Sequence, residues 1–340
     1  MRPLHTCSLP VLLSAALLLS ACGGPADAAD PAAEAAETAA GDDGSSAGAS
    51  GAVDLIDNCG TDLRVESPPE RILTVKSTAT ELVLSLGLGD RLVGTAFSDG
   101  PLPDDLAGTT DAPEISDGVP SQEAVLDLGP DLVFAGWESA FSADGVGERE
   151  SLHEFGVSTY VAPAACQGAG AKPESLDFDR VFDDIREAGA LFGAAESADE
   201  LVAGQQELLD GIEPIGGEPS ALWYSSGTDT PYVGAGSGAP QMMMSAAGLD
   251  NIAADVDDTW TSLSWEVIAE RDPEVIVLVD ADWNSAEDKI ARLEASPVTS
   301  QLSAVRSGNY LRVPFAASEA GVRNAEAVGS LVQQHADLAG

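Results

Sequence analysis

The sequence predicts an α/β protein with two similar lobes, each built on a central parallel sheet, and a single helical connector between them. Three observations predict this class. The chain has 340 residues, 44% of them apolar, which is enough material for two domains with substantial cores. Several short segments rich in β-branched residues are apolar on both faces, as in parallel sheets covered by helices. One stretch of the first half also recurs, without gaps, in the second half.

The composition excludes several classes of protein. The chain has 57 acidic and 15 basic residues and a net charge of −42. Binding of nucleic acid and adhesion to anionic lipid through basic patches both need clustered Lys and Arg, so neither is expected. With three His residues and no CxxC pair, the chain predicts no metal site and no His-based catalytic triad. The acidity is otherwise explained by a solvated surface suited to salty or alkaline surroundings.

The N-terminus is typical of a targeting segment, assigned to residues 1–21. Its apolar stretch, Leu9–Leu19, is too short to span a bilayer. The stretch ends in Leu19-Ser20-Ala21-Cys22, which resembles a bacterial lipobox and implies cleavage before Cys22 and attachment of lipid to its thiol. An ordinary secretory signal with a chance Cys is the alternative. Residues 22–54 are mostly small, acidic or Pro, which predicts a flexible tether behind the lipidated Cys22.

Two thiols, Cys59 and Cys166, remain once the signal is removed and Cys22 carries lipid. A lipobox places both of them outside the cytoplasm, where disulfides persist, so the two are predicted to pair. Two free buried thiols are the alternative.

The internal repeat divides the rest of the chain. Ser121–Phe134 matches Ser264–Val277 in a Ser cap, a short helix with Glu in its first turn, a Pro, and an apolar strand. The segment between the two copies has apolar residues at helical spacing, and Ser197 with Glu200 predicts a capping box inside it. The expected bounds are 55–178 for the first lobe, 179–218 for the connector and 219–340 for the second lobe.

Candidate ligand-binding residues follow the predicted strands, because open parallel sheets bind ligands beyond the carboxyl ends of their strands. Lys76 lies beside Ser77 and Thr78 at a predicted helix start, which suits an anion; an ion pair with one of the many carboxylates is the alternative. Arg323 is a second candidate anion contact, with a surface pair to Glu319 or Glu326 as its alternative. The other candidates are aromatic or polar residues close to strand ends: Phe97, Trp137, Glu138, Tyr224, Ser225, Trp260, Trp283 and Phe315. Their rings either stack on a flat ligand or pack as core under loops.

The sequence shows no catalytic constellation. Gly87, Gly89 and Gly94 lack the spacing of a dinucleotide fingerprint, and the Gly-rich segment 234–238 is not a nucleophile elbow. We therefore expect no catalytic residues and no cofactor.

From about Arg71 onward, the chain resembles the substrate-binding lipoproteins of ABC importers for iron-siderophores, haem and cobalamin. The resemblance rests on Arg71–Thr74, Thr80–Leu82, Leu86–Gly94 and the two copies of the repeat. It implies a ligand cleft between two lobes, a small hinge closure limited by the helical connector, and a permease and an ATPase as partners.

The same resemblance implies a role for the repeated Glu. Glu123 and Glu266 occupy the positions at which one exposed Glu per lobe docks onto an Arg pocket of each permease subunit. A pseudo-two-fold pair of carboxylates suits a two-fold partner. The alternative is that each Glu only complements the N-terminus of its own helix.

These inferences predict a protein on the extracytoplasmic face of the cell membrane, held by lipid, that delivers an organic ligand unchanged to an ABC importer. The ligand is expected to be aromatic, anionic or both. Phe97–Gly100, Gly136–Ser139, Ala164–Cys166 and Trp260–Trp265 resemble an actinobacterial branch described as carriers of deazaflavin-cofactor precursors, and a ferric siderophore is the main competitor. A surface-anchored ligand sensor and a surface hydrolase that uses carboxylates are the alternative functions.

Overall fold

The computed structural model describes residues 56–63, 65–167 and 175–338, all of which lie in one compact unit, Ala49–Gly340. The predicted signal segment, the lipid attachment at Cys22 and the whole of the predicted tether lie outside the described residues. Within the described part, no helix is both long and apolar enough to cross a bilayer.

The N-terminal lobe is built on a five-stranded, fully parallel sheet in the order β5-β4-β3-β6-β7. Its two central strands are buried along their whole length, which explains why their sequences are apolar on both faces. A short antiparallel hairpin, β1 and β2, precedes this sheet. The elements are β1 (Ile56–Asn58), β2 (Thr61–Leu63), β3 (Ile72–Val75), α1 (Ser77–Ser85), β4 (Leu92–Ala96), β5 (Glu114–Ser116), α2 (Gln122–Leu128), β6 (Leu132–Ala135), α3 (Arg149–Glu154) and β7 (Ser158–Val161).

The predicted disulfide between Cys59 and Cys166 is present, with the two Cα atoms 5.2 Å apart. It joins the turn of the β1–β2 hairpin to the segment that follows β7. The hairpin is therefore attached covalently to the segment that follows the last strand of the N-terminal sheet.

The connector consists of two helices, α4 (Phe178–Phe192) and α5 (Ala195–Asp210), which pack against each other. The Asp177 side chain caps α4, and Gly193 ends it in the left-handed conformation. The predicted capping box at Ser197 and Glu200 is wrong, because the residue before α5 is Ala194, three residues earlier than Ser197, and no side chain caps the helix.

The C-terminal lobe has a mixed six-stranded sheet. Its strands β10, β8, β12 and β13 pair in parallel, whereas β9 and β11 add antiparallel strands at one edge. The sequence predicted only a parallel sheet here; the difference arises because the chain reverses after β8 through a turn at Gly227, whose φ is 83°. The elements are β8 (Ser220–Ser226), β9 (Tyr232–Gly234), α6 (Ala239–Ala247), β10 (Asp250–Asn251), β11 (Trp260–Ser262), α7 (Trp265–Arg271), β12 (Val275–Asp280), α8 (Ala286–Ala295), α9 (Ser303–Ser307), β13 (Tyr310–Pro314) and α10 (Asn324–Leu338).

The repeat predicted from the sequence has the same local structure in both lobes. Ser121 caps α2 by accepting a hydrogen bond from the backbone N–H of Ala124, and Ser264 caps α7 in the same way. Both helices end at a left-handed residue, Gly129 in the first copy and Asp272 in the second. Each unit then enters a buried parallel strand, β6 or β12.

The lobes and the connector share one hydrophobic cluster. Phe134 of β6 packs against Phe192 of α4, with ring centroids 5.6 Å apart, and the same cluster continues to Trp223 of β8 and Val328 of α10. The side-chain amide of Gln205 on α5 donates a hydrogen bond to the carbonyl of Val322. The connector thus fixes how the two sheets face each other.

Candidate functional site

The N-terminal sheet places the ends of β3 and β6 side by side, where the strand order reverses. In open α/β sheets this point forms a ligand crevice. Lys76 to Thr78 follow β3, and Gly136 and Trp137 follow β6. A Cβ atom at Gly136 would lie 2.4 Å from Thr78 Oγ1, so glycine is required for the two segments to come this close.

A cleft of 660 Å³ opens at this edge, and residues of both lobes line it. Half of the ligand-binding residues predicted from the sequence are in its lining: Thr78, Trp137, Ser225, Trp260, Trp283 and Phe315. The other predicted residues lie behind the lining or beside it: Lys76, Ser77, Phe97, Glu138, Tyr224 and Arg323.

Aromatic rings from both lobes face the cleft. Tyr232 and Trp260, on paired strands of the C-terminal sheet, stack with centroids 5.7 Å apart and planes 15° apart. Trp283 lies edge-on to Phe315 at 5.6 Å, and Phe315 is 6.5 Å from Trp137 of the other lobe. Trp283 is 66% exposed, so a large aromatic face meets solvent at the mouth of the cleft. Rings in this arrangement can stack on a flat or apolar ligand.

The Lys76 side chain is not free to bind an anion. It is 1% exposed, and its ammonium forms an ion pair with Asp99. The same ammonium lies 3.7 Å from the ring centroid of Trp137, 4.4 Å from that of Phe97 and 4.8 Å from that of Phe315. Of the two alternatives that the sequence left open for Lys76, the structure shows the ion pair.

Ser77 and Phe97 support this pair. The Ser77 hydroxyl accepts a hydrogen bond from the backbone N–H of Asp99, 2.8 Å away. Phe97 has a positive φ of 56°, which turns the chain so that its ring contacts the Lys76 ammonium and, edge-on at 5.6 Å, the Trp137 ring. Both residues therefore shape the floor of the cleft from behind.

Arg323 also has a carboxylate partner, and this partner belongs to the opposite lobe. The Arg323 guanidinium bonds both carboxylate oxygens of Glu81 on α1 and donates to the carbonyl of Pro101. Burial raises the pKa of Glu81, and the adjacent guanidinium opposes that rise. The sequence alternatives for Arg323, Glu319 and Glu326, were wrong because the sequence does not show that α1 and the start of α10 meet.

Glu319 is a cleft residue that the sequence identified only as a possible partner of Arg323. Its Oε1 accepts a hydrogen bond from the Trp137 indole, 2.7 Å away and across the lobe interface. Its Oε2 is buried and accepts no hydrogen bond from any described residue. Burial raises the pKa of Glu319 to about 7, although the attraction of Lys76 opposes the shift.

Glu138 and Tyr224 do not line the cleft themselves. The Glu138 carboxylate accepts a hydrogen bond from the backbone N–H of Gln167. Tyr224 is fully buried in the C-terminal sheet, and its hydroxyl donates to the carbonyl of Gly227. Burial raises the pKa of Tyr224.

Further polar residues line the cleft that the sequence did not single out as ligand contacts. They are Ser139, Gln167, Ser226, Ser237, Asp258, Thr259 and Ser318, together with Glu319. Most lie in segments flanking predicted strands, and that position was the available signal. The Ser237 hydroxyl is buried without a hydrogen-bond partner among the described residues. In the part of the chain that the structure describes, no group of three or more His, Cys, Asp or Glu is arranged to hold a metal ion.

Glu123 and Glu266 lie away from the cleft, on the surface. Both are exposed and occupy the first turns of α2 and α7, two residues after the capping Ser. Hydrogen bonds from its own backbone N–H and from Ser264 lower the pKa of Glu266. The carboxylate is thus held ionised at the helix N-terminus and remains accessible from outside.

Comparison with known proteins identifies a family and relatives that the chain matches. A family model of periplasmic binding proteins matches residues 72–317. The uncharacterized ABC transporter substrate-binding lipoprotein YvrC of Bacillus subtilis is 25% identical over an alignment of 292 residues that covers 82% of this chain and 82% of that protein. A cobalamin-binding protein of Halobacterium salinarum is 29% identical over 269 residues, covering 76% of this chain and 66% of that protein.

Solved structures agree with this assignment. A periplasmic binding protein from Veillonella parvula superposes with a TM-score of 0.71 at 25% identity, over 81% of this chain and 93% of that one. An ABC-type Fe3+-hydroxamate transport protein from Saccharomonospora viridis gives a TM-score of 0.69 at 26% identity, over 82% and 98%. Proteins of this kind bind solutes outside the cytoplasm for a permease and an ATPase. The chain therefore belongs to the periplasmic binding protein family and is the substrate-binding component of an ABC importer, not an enzyme.

Proposed function

We propose that this protein is a lipid-anchored carrier that captures one organic ligand between its lobes and delivers it unchanged to its permease. The observation that carries the proposal is the cleft, which has a volume of 660 Å³ and walls from both lobes. Cavities of this size, mostly apolar with a few polar groups, are typical of sites for small organic molecules.

The rings in the lining support a ligand with flat or apolar faces. We assign ligand contacts to the predicted residues that line the cleft, Thr78, Trp137, Ser225, Trp260, Trp283 and Phe315. The predicted residues behind the lining have supporting roles, because each is bonded or packed so as to hold a wall in place: Lys76, Ser77, Phe97, Glu138, Tyr224 and Arg323.

Two ligand classes follow from the similarities. The relative named for cobalamin and the neighbour named for Fe3+-hydroxamate transport support a metal chelate with a large apolar surface, such as a ferric siderophore. A deazaflavin-cofactor precursor is the other candidate, and the stacked pair Tyr232 and Trp260 suits its flat ring. The expectation of an anionic ligand depended on Lys76 and Arg323, and both of these cations are already paired with carboxylates.

Native mass spectrometry tests this proposal. The full chain is purified from cells grown in medium supplemented with ferric siderophores or with an extract containing deazaflavin precursors. We expect one ligand per chain, released on denaturation with the mass it had in the medium. A Trp137→Ala variant should lose most of the bound ligand, whereas Phe155→Ala, a matched exposed aromatic 63% accessible on the surface, should retain it. A ligand of altered mass, or binding unaffected by Trp137→Ala, would contradict the proposal.

We also propose that Glu123 and Glu266 dock the loaded protein onto the permease. Their exposed carboxylates lie at equivalent positions of two repeated units, and a two-fold permease would meet both through the same contact.

The anchor is the last part of the proposal. Cys22 follows Leu19-Ser20-Ala21 and is proposed to carry the lipid that holds the protein at the extracytoplasmic face of the membrane. Mass spectrometry of the N-terminal peptide should show a diacylglycerol-modified Cys22. Replacing Cys22 by Ser should release the protein from the membrane fraction, and continued retention would contradict the anchor.

A further inference from the structure

One buried carboxylate, that of Glu319, is the charge of the described cleft wall that bears on a ligand. Among the lining residues that the structure describes, there is no Lys, Arg or His. The two cations behind the lining are already neutralised, Lys76 by Asp99 and Arg323 by Glu81. The described wall of the cleft therefore offers no unpaired positive group to a ligand.

Glu319 gives this charge a definite position. The Trp137 indole fixes its Oε1, while Oε2 is buried without a hydrogen-bond partner among the described residues. Lys76 is the cation that interacts with Glu319, and it is shared with Asp99, so the three groups together hold one positive and two negative charges when all are ionised. A buried carboxylate that lacks its own counter-charge is costly, and a cation placed near it recovers part of that cost.

The aromatic lining favours the same sign of charge. The faces of Trp and Tyr rings carry partial negative charge and attract cations within about 6 Å. The protein itself shows this preference, because three rings already surround the Lys76 ammonium. The net charge of −42 adds a long-range field that draws cations toward the surface and repels anions.

We infer that the ligand is an organic molecule, or a metal chelate with an organic shell, that carries a net positive charge, and that Glu319 is its counter-charge in the cleft. This inference rests on the proposed function and specifies its substrate class. It replaces the anionic ligand expected from the sequence. The selectivity between ligands comes from the charge of Glu319 and from the faces of the aromatic rings. Ligands of equal shape and different charge should therefore bind with different affinities.

Three forms of ferrioxamine provide such a series. Ferrioxamine B carries a protonated amine, its N-acetyl derivative is neutral, and its N-succinyl derivative is an anion, while the iron chelate is the same in all three. Titration of the full chain, followed by tryptophan fluorescence and by calorimetry at pH 8, should give affinities in the order cation, neutral, anion, with about tenfold or more between the first and the last. Equal affinities, a preference for the anion, or no binding of the cation would overturn the inference.

Two variants assign the effect to Glu319. Glu319→Gln removes the charge and retains an acceptor for Trp137, so the ratio of cation to anion affinity should fall about tenfold. Glu326→Gln makes the same change in net charge at an exposed position of α10 and should leave the ratio unchanged. An unchanged ratio in Glu319→Gln would overturn the role of Glu319.

The natural ligand separates this inference from the proposed function. If the solute recovered by native mass spectrometry is an anion, the charge inference fails and the import function stands. If a cation is recovered, both are supported. If the recovered solute has been chemically altered, the proposed function itself fails.

Discussion

The two copies of the repeat agree on the outside of the molecule and differ at the cleft. On the outside, α2 and α7 have the same Ser cap and the same exposed Glu, Glu123 or Glu266. At the cleft, β6 leads to Trp137, whose indole is bonded to the opposite lobe, whereas β12 leads to Trp283, which is 66% exposed. A repeated outer face suits a two-fold partner, and a divergent inner face suits a ligand without symmetry.

The left-handed conformation that ends both α2 and α7 is stabilised differently in the two lobes. Gly129 adopts the left-handed conformation without steric cost. Asp272 adopts it with a φ of 40°, and its carboxylate bonds the backbone N–H and the hydroxyl of Ser303 at 2.7 Å each. The shape of the unit is thus retained while its local chemistry changes, and four predictions test how far the equivalence of the lobes extends.

The largest expected effect concerns the disulfide, which is a difference between the lobes: it lies in the N-terminal lobe, and the C-terminal lobe contains no Cys. The bond closes a loop with a sequence separation of 107 residues. Replacing both Cys59 and Cys166 by Ser should lower the free energy of unfolding by about 4 kcal/mol, since the unfolded chain gains freedom. Denaturant unfolding measures the loss. Reductant should destabilise the wild type similarly and leave the double variant unchanged; a loss below about 1 kcal/mol would contradict the prediction.

The second effect tests the equivalence of the outer faces. Replacing Glu123 and Glu266 together by Arg should reduce ligand uptake by about a hundredfold, because two charge-assisted contacts are lost and become repulsive. The two single variants should reduce uptake by factors similar to each other. Ligand affinity should stay within about twofold, since neither residue lines the cleft.

Glu154→Arg is the matched control for these variants, because it reverses an exposed charge on another helix of the N-terminal lobe. It should leave uptake unchanged. Normal uptake by the double variant would exclude docking through this pair, and a strong loss with only one of the single variants would show that the lobes are not equivalent partners.

The third effect concerns the cleft, where the lobes differ. Burial raises the pKa of Glu319 from 4.5 to about 7, so the folded protein binds a proton that the unfolded chain has released in that window. Stability contributed by this group is therefore present below pH 4.5 and lost progressively as pH rises to about 7. Glu319→Gln should unfold at a higher temperature than wild type at pH 8 and at nearly the same temperature at pH 5.

The difference between wild type and Glu319→Gln isolates the titration of Glu319. Asp184, whose pKa burial raises to about 7, titrates in both proteins and cancels in the difference. A constant offset of Glu319→Gln at both pH values would indicate a packing effect and would contradict the assigned titration.

The smallest expected effect concerns the repeated caps. Ser121→Ala and Ser264→Ala should each lower the free energy of unfolding by about 1 kcal/mol, because each removes one acceptor from a helix N-terminus. Asp at either position should retain the stability. If the losses of the two Ala variants differ by more than about 1 kcal/mol, the two caps are not equivalent.

Much of the fold could be predicted from the sequence, because the signals are local. The Ser121 and Ser264 caps, the apolar strands and the helical connector are each encoded within about fifteen residues, and the family resemblance added the order of the lobes. The antiparallel strands β9 and β11 were missed because their pairing depends on the turn after β8. The start of α5 was misplaced because no side chain caps it.

The cleft was predicted less completely, because its chemistry depends on contacts across the lobes. The sequence located Trp137 and Phe315 at strand ends, but it does not show that Glu319 meets Trp137 across 182 positions. It also does not show that Glu81 neutralises Arg323 across 242 positions. Such pairings arise only once the connector has set the two sheets against each other, and they decide which charges a ligand meets.

A crystal structure of the full chain with its recovered ligand would test the central claim most directly. The account predicts one unaltered molecule between the two sheets, in contact with Trp137, Trp260 and Trp283, with Glu123 and Glu266 free on the outer surface. A ligand bound outside the cleft, or a chemically altered product within it, would contradict the account.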